Sequence, residues 1–179
     1  MLQISKPEIR CVLLAVALIV VPGMRGQQTK KPTGGAPVPS QIGAAHKVFI
    51  SNAGADVNAQ AAFKRAGDPE EAYNDFYVAM QSWGRYELVT SPADADLVFE
   101  IRFTSPMYMN GNLATYQPQF GLRVLDVKTH FLLWSLAEPV EGAFRKDTWL
   151  KNFSHGLDAL MADLSKLSAL PSATDPSKK

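Results

Sequence analysis

Apolar and polar residues recur with two different periods along this chain, and the switches between them mark its elements. From Leu97 the period is two: Leu97, Phe99, Ile101 and Phe103 fall on one side, and Val98, Glu100 and Arg102 on the other. That alternation predicts a half-buried strand. Just upstream, Ser91-Pro92-Ala93-Asp94 supplies a capping hydroxyl, a proline at a first helical position and a carboxylate in the first turn, which predicts one helical turn. Tyr86 to Val89 precedes it as a short strand, so the stretch Tyr86 to Phe103 is the spine around which the rest packs.

The remaining elements follow from the same two periods. Lys47 to Ser51 is a short apolar run that ends at Asn52-Ala53-Gly54, a strand and then a turn. Val57 to Gly67 is ambiguous, with a short helix as one reading. At Asp68-Pro69-Glu70-Glu71 a cap, a proline and a returning carboxylate predict a helix start. Ala72, Tyr73, Phe76, Tyr77, Met80 and Trp83 then recur at steps of three and four, and Gly84 ends the helix. Helical spacing of aromatics points to core and not to a ligand platform. Phe120 to Asp126 and Phe131 to Ala137 read as an antiparallel hairpin joined at Val127-Lys128-Thr129-His130. Both are apolar on more than one face, which predicts central positions in the sheet, with Trp134 packed under a helix. The last element begins near Lys146-Asp147-Thr148 and presents Leu150, Phe153, Leu157, Leu160, Leu164 and Leu167 on one face.

These elements predict an α+β or open α/β fold: a single sheet of about five mostly antiparallel strands with two amphipathic helices on one face. A crossover from the first strand through the Asp68 helix makes the first strand and Tyr86 to Val89 a parallel pair.

The flanks change the picture of where this domain works. Lys6 and Arg10 precede an unbroken apolar run from Cys11 to Val21 that Pro22-Gly23 stops. A run of about 11 residues is short of the roughly 20 that span a bilayer, so residues 1–26 read as an export signal, with an uncleaved amino-terminal anchor as the alternative. Residues 27–45 are rich in Pro, Gly, Ser, Thr and Lys and read as a disordered linker; residues 169–179 read as a disordered tail. The domain is then 46–168, and the expected location is periplasmic or secreted. Cys11 is the one cysteine and lies at the start of the apolar run, where it serves neither as a lipid attachment point nor as a disulfide partner. Signal removal leaves a domain without a thiol, which excludes a cysteine nucleophile and thiolate metal sites. Between His46 and Ser168 there are 11 basic and 15 acidic residues, so nucleic acid is not an expected partner.

Candidate chemistry adds little to this. One Gly54 and a distant Gly67 make no dinucleotide fingerprint, and no GxSxG, HExxH or SxxK run occurs. His155 and Asp158 share a helix face but lack a third ligand. Asp94 and Asp96 flank Ala95, where capping a turn and entering a strand account for both. No cofactor, metal or catalytic residue is assigned. The longest connection, Thr104 to Gln119, is polar and turn-rich yet carries Met107, Tyr108, Met109, Leu113 and Tyr116. Long connections in compact domains are disproportionately functional. Met107, Tyr108, Met109, Asn110, Asn112 and Tyr116 are therefore the candidate contact residues, with the uncovered face of the sheet as the alternative contact surface.

The SPADADLV run at Ser91 to Val98, the hairpin from Asp126 to Trp134 and the terminal amphipathic helix together resemble small exported bacterial proteins of unassigned function. Their fold is similar to envelope accessory domains such as the amino-terminal domain of the Tol-system translocation protein and the curli-export lipoprotein family. The resemblance covers roughly His46 to Leu167 and brings no functional residues with it. It implies a sheet with two helices on one face, an envelope location, and work by binding an envelope protein or other envelope component. Many such proteins are lipid-anchored, and this chain lacks the cysteine for that. The competing expectation is a small periplasmic hydrolase with a polar site around Asp94, Asp96, His130 or His155.

Overall fold

Strand β3, Leu97–Thr104, is the centre of the sheet, and its alternation is the one expected: Leu97, Phe99, Ile101 and Phe103 are buried, and the residues between them are not. The computed structural model describes residues 36–59 and 70–169; the segment read as an export signal, most of that read as linker, the helix start at Asp68-Pro69, most of Val57 to Gly67 and residues 170–179 of the expected tail lie outside the described residues. Strand β1 is Lys47–Ala55 and helix α1, Ser40–Ala44, precedes it. Helix α2, Glu71–Trp83, leads to β2, Glu87–Val89. After β3 come two four-residue strands, β4 Met107–Asn110 and β5 Leu113–Tyr116. Then follow β6 Gln119–Asp126, β7 Leu132–Pro139 and helix α3, Lys146–Ala169.

The main sheet has the order β2-β1-β3-β6-β7, and β4 and β5 form a separate two-stranded ribbon. Strand β1 pairs in parallel with β2, as the crossover through α2 requires, and also with β3. The pairings β3 with β6, β6 with β7 and β4 with β5 are antiparallel. Helices α2 and α3 lie on one face of the sheet and touch each other; α2 meets β1 and β3, and α3 meets β6 and β7. Their buried side chains, including Phe76, Met80, Phe153, Leu160 and Leu164, meet Phe99, Phe103, Phe120 and Leu122 of the sheet. A thiol-free core is held here by aromatic packing: Phe103 lies edge-on to Phe120 at 5.0 Å, and Phe120 lies 4.7 Å from Phe153.

The punctuation between elements matches the residue chemistry. Ser91 Oγ accepts from the Ala93 N–H at 3.3 Å to start the 3-10 turn Pro92–Asp94. Gly84 ends α2 in the left-handed region at φ 66°, donating to the Met80 carbonyl.

Three expectations change. The turn read at Asn52-Ala53-Gly54 lies within β1, where the register shifts between Asn52 and Ala55 and Gly54 takes φ 71°. The segment read as linker to Ala45 ends sooner, because Ser40–Ala44 is helical and Ile42 is fully buried. One large apolar group suffices as an anchor here, since the carbonyls around it are met: Arg85 donates to Gly43 O at 2.8 Å and the Tyr86 hydroxyl to Ile42 O at 3.2 Å. Strand β7 is not central but an edge. Its second apolar face has no partner layer; Leu132 is exposed, and Trp134 and Leu136 are half-buried against the core. A register shift near Leu125 and the terminal Pro139 blunt this edge against further pairing.

Candidate functional site

The connection from Thr104 to Gln119 is an ordered ribbon. Its register pairs Met107 with Tyr116, Tyr108 with Thr115, Met109 with Ala114 and Asn110 with Leu113. A two-residue loop, Gly111-Asn112, joins the strands, and Gly111 at φ 61° supplies the positive dihedral that a tight hairpin turn needs at its first central position. Opposed residues share a face, so Met107, Met109 and Tyr116 lie on one side and Tyr108 and Leu113 on the other. All five side chains are more than half exposed, from 52% at Tyr116 to 67% at Leu113. From Thr104 to Gln119 there is no charged residue.

This apolar ribbon has a fixed root. Asp56, just beyond β1, accepts from the Ser105 N–H with Oδ2 at 2.9 Å and from the Ala59 N–H with Oδ1 at 2.7 Å. Ser105 itself is buried. On the other strand, the Gln117 N–H donates to Pro106 O at 3.1 Å, closing the ribbon, and Gln117 Nε2 donates to Val140 O at 2.9 Å. Val140 returns a bond from its N–H to Pro118 O at 2.7 Å. Beneath these bonds lie Phe103 and Phe120, the last and first core residues of β3 and β6. Two strands leaving a rigid core and tied at both sides hold exposed apolar groups in one place, which is what a contact surface requires.

The ribbon shares its end of the sheet with another exposed group. Parallel β1 and β3 finish together, with Ala55 opposite Phe103, and Val140 is bonded to the ribbon root, so the segment before α3 lies at this end too. That segment carries Phe144, fully exposed, followed by exposed Arg145 and Lys146. Neither cation forms an ion pair among the described residues. Phe131 and Leu132 are exposed at the opposite end, where β7 begins.

Of the residues singled out in sequence, Met107, Tyr108, Met109 and Tyr116 are brought together on the ribbon with Asn112 in its turn; Asn110 ends β4. Leu113 belongs with them as the most exposed of the set. Phe144 lies outside the expected contact residues, although a lone aromatic in Gly-Ala-Phe-Arg-Lys between a strand and a helix start is a legible signal.

Of the polar residues considered for hydrolysis, Asp94 ends the 3-10 turn and Asp96 has a clear structural task. Asp96 Oδ2 accepts from the backbone N–H groups of His46 at 2.8 Å and Lys47 at 2.9 Å, pinning the start of β1. Those bonds, Lys47 first, hold its carboxyl below the usual carboxylate range. His130 sits in the β6–β7 turn at φ 59°, and His155 is exposed on α3. A neighbouring pair of carboxyls is pushed in opposite directions elsewhere. Burial and then the Asp163 carboxyl raise Glu138, while Lys166, at 2.6 Å, lowers Asp163. They join β7 to α3.

One concavity of about 440 Å³ lies where β2 stops and β1 continues, between Phe49, Ile50 and Val89 on the sheet and Tyr73, Asn74 and Tyr77 on α2. It is open, and no charged group lines it. On the sheet face away from the helices Glu100 binds Arg123 at 2.7 Å, Lys47 lies 3.7 Å from Glu87, the Arg102 side chain lies across Gly121, and Phe49, Val98 and Leu125 form a half-buried apolar row. Among the described residues no helix is long and apolar enough to cross a membrane, and no group of His, Cys, Asp and Glu is placed to hold a metal ion.

No known family description matches the chain, and no curated protein matches its sequence. Among solved structures it is similar to a PelC dodecamer from Paraburkholderia phytofirmans at 14% identity and a TM-score of 0.40, covering 78% of this chain and 95% of that one. It is similar also to the uncharacterized lipoprotein B from Nitrosomonas europaea, at 12% identity and 0.41, covering 76% and 92%. Lipoprotein GNA1162 from Neisseria meningitidis aligns at 14% and 0.36, covering 68% and 99%. All three are bacterial and two are lipoproteins; each TM-score is below 0.5. The finer resemblance to Tol-system and curli-export domains is not shown by them.

Proposed function

We propose that this chain is an exported, non-catalytic contact module of the bacterial cell envelope and that the β4–β5 ribbon is the surface through which it works. One observation carries the reading: five large apolar side chains stand more than half exposed on a hairpin whose root is bonded to Asp56 and Val140. Exposed apolar groups held this firmly lower the ordering cost of an interface, and concentrated apolar patches mark interaction sites. The open sheet face, by contrast, carries the ion pairs Glu100–Arg123 and Lys47–Glu87. Export is supported by Lys6, Arg10 and the apolar run that follows.

The test is crosslinking in the cells that make the protein, with a photoreactive amino acid at position 108 or 113. Adducts are expected from both positions and not from position 128 in the β6–β7 turn. Equal yields at all three positions would refute a contact role for the ribbon. As a companion variant, Tyr108→Ser with Leu113→Ser should abolish partner capture while shifting unfolding stability by no more than about 0.5 kcal/mol, because both side chains are exposed.

A further inference from the structure

We infer that the partner of this end of the molecule is a lipid surface with anionic headgroups, an inference that rests on the contact role just assigned to the ribbon. The ribbon's two faces decide between a protein and a lipid occupant. Met107, Met109 and Tyr116 are exposed on one face, Tyr108 and Leu113 on the other. A flat protein surface covers one side of a two-stranded ribbon and leaves the other in water, whereas lipid surrounds an inserted ribbon on both. The absence of any charge from Thr104 to Gln119 removes the largest penalty for entering the boundary between headgroups and acyl chains.

Phe144 and its neighbours fix the class of lipid. A fully exposed phenyl ring beside Arg145 and Lys146, both exposed and outside any described ion pair, is the local pattern of an interfacial anchor. The ring enters while the two cations stay at the level of phosphate, their stems covering apolar surface. Tyr108 and Tyr116 suit the same depth, since each has an apolar ring and a polar tip. Insertion is shallow. The free edges of β4 and β5 and the Gly111-Asn112 turn keep backbone groups that hydrocarbon does not satisfy, so the ribbon stops where water and headgroups still reach them.

Site-specific labelling of the full chain tests this independently of any binding by the amino-terminal apolar run. In a Cys11→Ser background, single cysteines from Leu113→Cys, Phe144→Cys or Phe131→Cys carry an environment-sensitive fluorophore. Vesicles of phosphatidylcholine with phosphatidylglycerol should shift the labels at 113 and 144 to the blue and expose them to quenching by brominated acyl chains. The label at 131, at the opposite end of the sheet, should report water throughout. Arg145→Gln with Lys146→Gln should raise the vesicle concentration for half-maximal shift at 113 by about 30-fold, roughly fivefold per cation, and added salt should act the same way. Labels at 113 and 144 as wet as the one at 131, or an equal response to pure phosphatidylcholine, overturn the inference. Persisting protein adducts from positions 108 and 113 in that case leave the contact role standing with a protein as occupant; loss of those adducts as well removes both.

Discussion

Gly156→Ala on helix α3 should destabilise the protein, although alanine is the better helix former. Position 156 is tightly packed: a Cβ there would lie 2.7 Å from Val140 Cγ2 and 3.4 Å from the Phe120 ring. Real carbon contacts sit near 3.5 to 4.0 Å, so one partner must move by about 1 Å. Val140 is poorly placed to do so. It is fully buried, β-branched and stiff about its first dihedral, and its backbone is bonded on both sides to Pro118 and Gln117. Overpacking of this kind costs about 1–3 kcal/mol, against a helix-propensity gain of about 1 kcal/mol for replacing glycine. The net expectation is a loss of about 1 kcal/mol, a fall in the urea midpoint of about 0.5 M for m near 2 kcal/mol/M. Val140→Ala alone removes two buried methyl groups and should cost about 2 kcal/mol. In the double variant the new methyl occupies the space the valine vacates, so the pair should be less destabilised than the sum by about 1–2 kcal/mol. A Gly156→Ala protein more stable than the parent, or singles that add within about 0.5 kcal/mol, would refute the packing argument.

Further outcomes follow from the polar contacts. Asp96→Ala removes the acceptor of two backbone N–H groups and should cost about 1–2 kcal/mol at pH 7. The folded carboxyl titrates below 3.8, so its contribution is complete above that value and lost as pH falls through the folded pKa; parent and variant unfolding curves should converge in acid. Glu138→Gln should have the opposite sign: the folded carboxyl titrates above 4.5, so ionising it erodes stability as pH rises through that window. The glutamine variant should then be the more stable protein at pH 7, by up to about 0.5 kcal/mol, and lose that advantage below pH 4.5. Asp56→Ala leaves the buried Ser105 N–H without its acceptor and should cost about 1–2 kcal/mol. Amide exchange should quicken at Ser105 and Gln117, and unchanged exchange there would show that the ribbon root does not depend on Asp56.

How much of this was legible beforehand depended on whether the deciding interaction was local. The alternation from Leu97 to Phe103, the cap at Ser91, the glycine stop at Gly84 and the parallel crossover through α2 are consequences of neighbouring residues, and each was readable from spacing. The edge position of β7 was not, because an apolar run such as Leu132-Leu133-Trp134 has the same appearance whether a second strand covers it or water does. Ile42 escaped for a related reason: its burial depends on donors from Arg85 and Tyr86, more than 40 residues away. Gly156 escaped because a glycine on a leucine-rich face looks like a weak point of the helix until the sheet beneath it is known. The candidate site divides the same way. The hydrophobic residues of the ribbon were visible as apolar groups in a polar connection, while the fact that turns them into a surface, a root bonded to Asp56 from one side and Val140 from the other, is tertiary. Exposed apolar groups in a mobile loop cost ordering entropy when they bind; on this root the folded state already supplies much of that order. The contact reading therefore rests as much on Asp56 and Gln117, which hold the root, as on the exposed side chains of the ribbon.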